Sequence, residues 1–170
     1  MLRATKILDH VHGTAGRITL DETGRNRRRM VMVSDAIDGA PGIEFLLDLP
    51  ETTLLRHGEG LLLDDGRVIE VIAAPEALYA VFGANPRHLL TLAWQIGNRH
   101  LAAEIHGNRI LIRQDAVIKT MLEGLGARVM EVMAPFTPEG GAYGGRANPH
   151  DHGHGSADDH HGHDHGHKHG

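Results

Sequence analysis

The chain has no cysteine, which excludes thiolate metal sites, disulfides, redox pairs and thiol nucleophiles. Any metal it holds must be bound through nitrogen and oxygen. Aromatic residues make up only 4%, so a core has to be built from Leu, Ile, Val, Ala and Met. No run approaches the roughly 18 apolar residues of a membrane span. Met1-Leu2-Arg3-Ala4-Thr5-Lys6 also lacks the apolar stretch of a secretion signal, so the expected location is the cytoplasm, with no membrane partner. A formal charge of −5 with histidines neutral points away from nucleic acid. The chain carries no Gly-x-Ser-x-Gly, no phosphate loop and no metallohydrolase histidine spacing, and it is read as a non-enzyme.

What is present is patterned. From Ala15 to Ala73, short apolar runs alternate with turn signals: Arg17–Leu20, Met30–Val33, Ile43–Leu47, Leu61–Leu63 and Val68–Val71. That pattern predicts a small β-domain. Asp65-Gly66 marks a hairpin, because both residue types tolerate positive φ. After Ala74-Pro75, Leu78–Phe82 predicts a strand, and Asn85-Pro86 opens a helix that Gly97 should close. Leu101–Ile105 and Arg109–Ile112 flank His106-Gly107-Asn108 as a second hairpin. Asp115 caps a second helix with Val117, Ile118, Met121, Leu122 and Leu125 on one face and Gly126 as its stop. Arg128–Met133 is the last strand.

The expected fold class is therefore α+β. Residues 1–74 form an N-terminal all-β domain, and 75–138 a ferredoxin-like βαββαβ domain with both helices on one face. Residues 139–170 form a Gly/His/Asp-rich tail, expected to be disordered without metal because it has almost no apolar surface.

That tail carries the clearest chemistry. His150, His152, His154, His160, His161, His163, His165, His167 and His169 are interleaved with Asp151, Asp158, Asp159 and Asp164. Neutral imidazole and carboxylate suit Ni, Zn, Cu and Co, and intervening glycine lets a short chain wrap an ion in several geometries. A purification tag would more commonly be an uninterrupted histidine run. Metal storage, a regulator and a transporter loop would all fit the tail alone.

Several stretches of the body separate these readings. Gly97-Asn98-Arg99-His100, Ile112-Arg113-Gln114-Asp115 leading to Met121–Gly126, and Pro135–Tyr143 together resemble the urease accessory protein UreE family. Leu49-Pro50, Thr53–Glu59, Leu63–Arg67 and Val71–Glu76 extend the resemblance over nearly the whole chain. It implies a homodimeric nickel metallochaperone, with a peptide-binding-like β-domain and a ferredoxin-like metal-binding domain. The implied cargo is Ni(II), with Zn(II) or Cu(II) as expected competitors, and the implied partners are the accessory GTPase UreG and the urease apoprotein complex. The histidine of Gly97-Asn98-Arg99-His100 matches the family's dimer-interface ligand, shared by two subunits.

Each candidate has a plainer explanation. His100 at a helix C-terminus would also be favoured by the helix dipole, and His106 could simply be a polar turn residue exposed to water. Where family members carry histidine near the start of the second helix, this chain has Gln114-Asp115-Ala116-Val117, which puts an auxiliary body site in question. His10, His12, His57 and His88 are expected to be solvent-exposed, and Arg25, Arg27, Arg28 and Arg29 to form the solvated face of a strand. The rival function is general divalent-metal storage or detoxification through the tail. A second rival is a passive scaffold whose β-domain binds peptides.

Overall fold

The computed structural model describes residues 1–37 and 39–140. Two sheets divide it. The first is built from β1 (Leu2–Leu8), β2 (Gly16–Leu20), β3 (Asn26–Val33), β4 (Glu44–Leu54), β5 (Gly60–Leu63) and β6 (Val68–Ala73), in the order β2-β6-β5-β1-β4-β3. β1 and β4 are parallel, as are β2 and β6, and the other pairs are antiparallel. The sheet curls until Asp35, just beyond β3, donates its amide to Arg17 in β2. Phe45, Leu47, Leu55, Leu61, Ile69 and Val71 fill its interior.

β1 was not anticipated. Its register shifts between Ala4 and Lys6, and a bulge there breaks the period-2 alternation that announces a strand. β4 continues through Pro50 past the expected end at Leu47. The β3–β4 register is offset across this stretch, Arg29 facing Asp48 and Arg27 facing Thr53, which is the kind of interruption that tolerates a proline. At the β5–β6 hairpin Gly66 takes φ +86°, while Asp65 stays at negative φ and accepts from the Arg67 amide and guanidinium. That arginine holds the Asp65 carboxyl below its ordinary pKa.

A four-residue helix, α1 (Glu22–Arg25), capped by Asp21, interrupts the first sheet. It corrects the expectation for Arg25. Arg27 and Arg28 are exposed, and Arg29 pairs with Asp48 at 3.7 Å, but Arg25 is fully buried. Its Nη1 donates to Leu55 O at 3.0 Å and its Nη2 to Phe136 O. Burial lowers the Arg25 pKa, opposed by the carboxylates of Glu76, Glu22, Asp21 and Glu104.

The second sheet contains β7 (Glu76–Phe82), β8 (Ala103–Ile105), β9 (Ile110–Arg113) and β10 (Arg128–Ala134), with α2 (Pro86–Asn98) and α3 (Ala116–Gly124) between them. The order β10-β7-β9-β8, antiparallel throughout, is the ferredoxin-like arrangement. Strand alternation decides the layers. Tyr79, Val81, Ile110 and Ile112 meet Leu89, Leu92, Ile96 and Leu122 of the helices, whereas Leu78, Ala80 and Leu111 on the opposite face are covered by Phe136.

Asn85 accepts from the His88 amide and Asp115 from those of Val117 and Ile118, as expected of caps. Gly126, at φ +84°, follows the end of α3. Two expectations change. Val117 is 76% exposed and Leu125 is 43% exposed, so the packed face of α3 is narrower, centred on Ile118, Met121 and Leu122. Gly97 lies inside α2, which closes three residues later.

Candidate metal centre

The end of α2 explains why. Arg99 is the C-cap, and His100, at φ +56°, is the one non-glycine residue at positive φ among those described. Its amide donates to Gly97 O at 3.0 Å and that of Leu101 to Ile96 O at 3.5 Å. This pair of bonds is the Schellman closure, and its left-handed position is usually glycine. A side chain there costs about 1 kcal/mol, a cost that Gly97, in the helical interior, could not have relieved.

His100 is exposed, and its imidazole makes no hydrogen bond or ion pair with any described residue. It stands at the end of an unusual helix face. While Leu89, Leu92 and Ile96 bury one side of α2, Leu90 is 72% and Trp94 68% exposed. Leu90, Trp94 and Gly97 follow i, i+4, i+7 spacing, so they share a stripe that leads to His100. A Cβ added at Gly97 would meet no atom within 4 Å, so helix backbone is open to close approach there.

The other histidines are arranged differently. His106 begins the β8–β9 turn, its amide donating to Arg109 O at 2.9 Å. Its Nε2 lies 3.0 Å from Glu104 Oε1, so a carboxylate already faces it. His88 is half-buried, which corrects the expectation that it is solvent-exposed, whereas His57 is exposed as expected. His88 Nδ1 accepts from the Ala84 amide at 2.9 Å, and its Nε2 meets Leu125 O at 2.8 Å, tying the start of α2 to the end of α3. His57 Nδ1 accepts from the Ala73 amide at 3.3 Å. His10 and His12 are exposed. Gln114 donates to Leu78 O and Ala116 opens α3, so neither brings an imidazole to this region. His150, His152, His154, His160, His161, His163, His165, His167 and His169 lie outside the described residues.

Among the described residues no group of three or more histidine, aspartate or glutamate side chains converges on one point. A feature not anticipated from sequence is the path of residues 135–140. After Phe136, the Thr137 amide donates to Glu104 Oε2 at 2.7 Å, the Glu139 amide to Ala103 O at 2.8 Å, and the Ile105 amide to Glu139 Oε1 at 3.1 Å. The segment therefore runs along the open edge of β8, three residues from His100. A cavity of about 190 Å³ adjoins the segment at Glu139 and is also lined by Ala93, Gly97, Leu101 and Ile105.

Comparisons with known proteins agree over both sheets. The family model for the UreE urease accessory protein N-terminal domain matches residues 3–74, and that for its C-terminal domain matches residues 76–170. A urease accessory protein UreE from Chelativorans sp. (strain BNC1) is 61% identical over 162 residues, covering 95% of this chain and 99% of the relative. Proteins of the same name from Bradyrhizobium sp. (strain ORS 278) and Brucella anthropi are 49% and 48% identical. Those matches cover 88% and 85% of this chain, and 70% and 81% of the relatives.

Proposed function

The chain belongs to the urease accessory protein UreE family, and from that premise we propose that it is a nickel metallochaperone whose delivery site is built around His100. It binds Ni(II) as cargo, acts without catalysing a reaction, and hands the ion on for urease active-site assembly in the cytoplasm. The accessory GTPase UreG and the urease apoprotein complex are the proposed partners.

The observation that carries this reading is the placement of His100. An exposed, unpaired imidazole occupies a left-handed position that glycine fills more cheaply, at the end of an exposed Leu90–Trp94 stripe. Strained residues persist where function holds them. In a symmetric dimer formed through that stripe, the same patch meets itself across the two-fold axis, and two His100 side chains can share one ion. Two imidazoles leave coordination positions for tail histidines or water, so the ion stays exchangeable.

The division of labour follows the chain. Residues 1–74 form a peptide-binding-like β-domain, 75–138 carry the interface site, and 139–170 collect metal. The tail leaves the described structure close to that site. Glu139 pairs with Ala103, so its Cα lies within about 16 Å of that of His100 by chain connectivity. His106, already facing Glu104, is a secondary ligand candidate. Zn(II) and Cu(II) should compete, since imidazole sites do not favour nickel over copper.

The test is nickel titration by calorimetry on a chain truncated after Tyr143, with and without His100→Ala, while sizing follows the oligomer. About one ion per dimer, lost in the mutant, supports delivery through the interface. No binding by the truncated chain would favour storage in the tail. Because ligation needs unprotonated imidazole, affinity should fall as pH drops through the ordinary histidine range near 6.5. Equal affinity at pH 7.5 and 5.5 would contradict a histidine site.

A further inference from the structure

Among the described residues, the Arg25 side chain links the first sheet to segment 135–140. Arg25 is completely buried, and a cation removed from water persists only where its donors are well satisfied. Nη1 and Nη2 reach the carbonyls of Leu55 and Phe136, while Nε has no hydrogen-bond partner among the described residues. Filling the space would be cheaper with an apolar side chain. What the guanidinium adds is a fork that joins the end of β4 to the start of segment 135–140.

That segment is then held link by link. The Phe136 ring is buried against Leu78, Ala80 and Leu111, with the Arg113 guanidinium 5.2 Å from its centroid. Arg113 in turn pairs with Glu22, one turn before Arg25 in α1, and the Glu22 amide donates to Glu76 Oε2 at 2.8 Å. Beyond the ring, Thr137, Glu139 and Ile105 make the bonds that lay the segment along β8. Apolar burial fixes where the ring sits. The direction in which the backbone leaves it is set at the Phe136 carbonyl, which Arg25 holds.

We infer that Arg25 is a positioning residue for metal handling: by gripping Phe136 it holds segment 135–140 along β8, the strand that begins three residues after His100. This rests on the His100 site proposed above. It makes the N-terminal domain part of the delivery geometry, though no residue of that domain touches the ion.

The experiment compares the full chain with Arg25→Met and Arg25→Lys by amide hydrogen exchange and nickel calorimetry. The Lys variant keeps the cation but cannot reach both carbonyls, and it stands in if the Met variant does not fold. Expected for Arg25→Met is exchange about tenfold faster at the Thr137, Glu139 and Ile105 amides, with the Val81 amide unchanged, and nickel affinity about tenfold weaker. Arg25→Lys should give smaller changes in the same direction. Unchanged exchange at those three amides overturns the assignment. So does faster exchange with wild-type nickel affinity, provided His100→Ala loses the body-site ion in the same assay. If His100→Ala binds as wild type does, the His100 site itself has failed, which is a separate result.

Discussion

Helix α2 carries a histidine near each end, and the two are employed in opposite ways. His88, in the first turn, has both ring nitrogens engaged, one by the Ala84 amide and the other at Leu125 O. With Nδ1 accepting, its proton sits on Nε2 and no lone pair is left for a metal. His100, beyond the last turn, has an imidazole that bonds to nothing described, and it holds a backbone conformation that costs free energy. The same residue type on one helix serves packing at one end and is left free at the other. Availability of the ring nitrogens separates a ligand from a structural histidine.

The largest effect should come from exchanging alanine for each in turn. His100→Ala is expected to weaken nickel binding by the body about a hundredfold, and His88→Ala to leave it unchanged, both read by calorimetry. Equal losses would erase the distinction. Next, the two faces of α2 should separate in denaturant titrations. Leu92→Ala, on the buried side, should cost about 3 kcal/mol. Trp94→Ala should cost under about 0.5 kcal/mol of folded-chain stability, yet shift the proposed dimer toward monomer on sizing. A Trp94→Ala chain that remained dimeric at micromolar concentration would remove the stripe from the interface. Between those two values, His88→Ala should lower stability by about 1 kcal/mol, since two backbone groups lose their partner.

Much of this was legible in the sequence, for local reasons. Asn85 and Asp115 announced their helices because capping is a short-range interaction, and the βαββαβ order followed from spacing and turn residues. The tail's composition and the Gly97-Asn98-Arg99-His100 motif pointed to the candidate ligands. What escaped depends on partners distant in sequence. Arg25 looked like one of a solvated arginine run, and it is buried among partners far along the chain, Leu55 and Phe136. β1 was hidden by its bulge. The closure of α2 was assigned to Gly97 by residue preference, where the structure gives the left-handed position to His100. That exchange is informative, because a local rule is broken at the residue proposed to bind metal.

The most direct test of the account is His100→Gly, measured by thermal melting and nickel calorimetry on the same protein. Glycine relieves the left-handed position and removes the imidazole. The account predicts a melting temperature about 2–4 °C higher together with loss of nickel binding by the body. A chain that melts no higher and still binds nickel would show that the conformation carries no cost and that the ligand lies elsewhere.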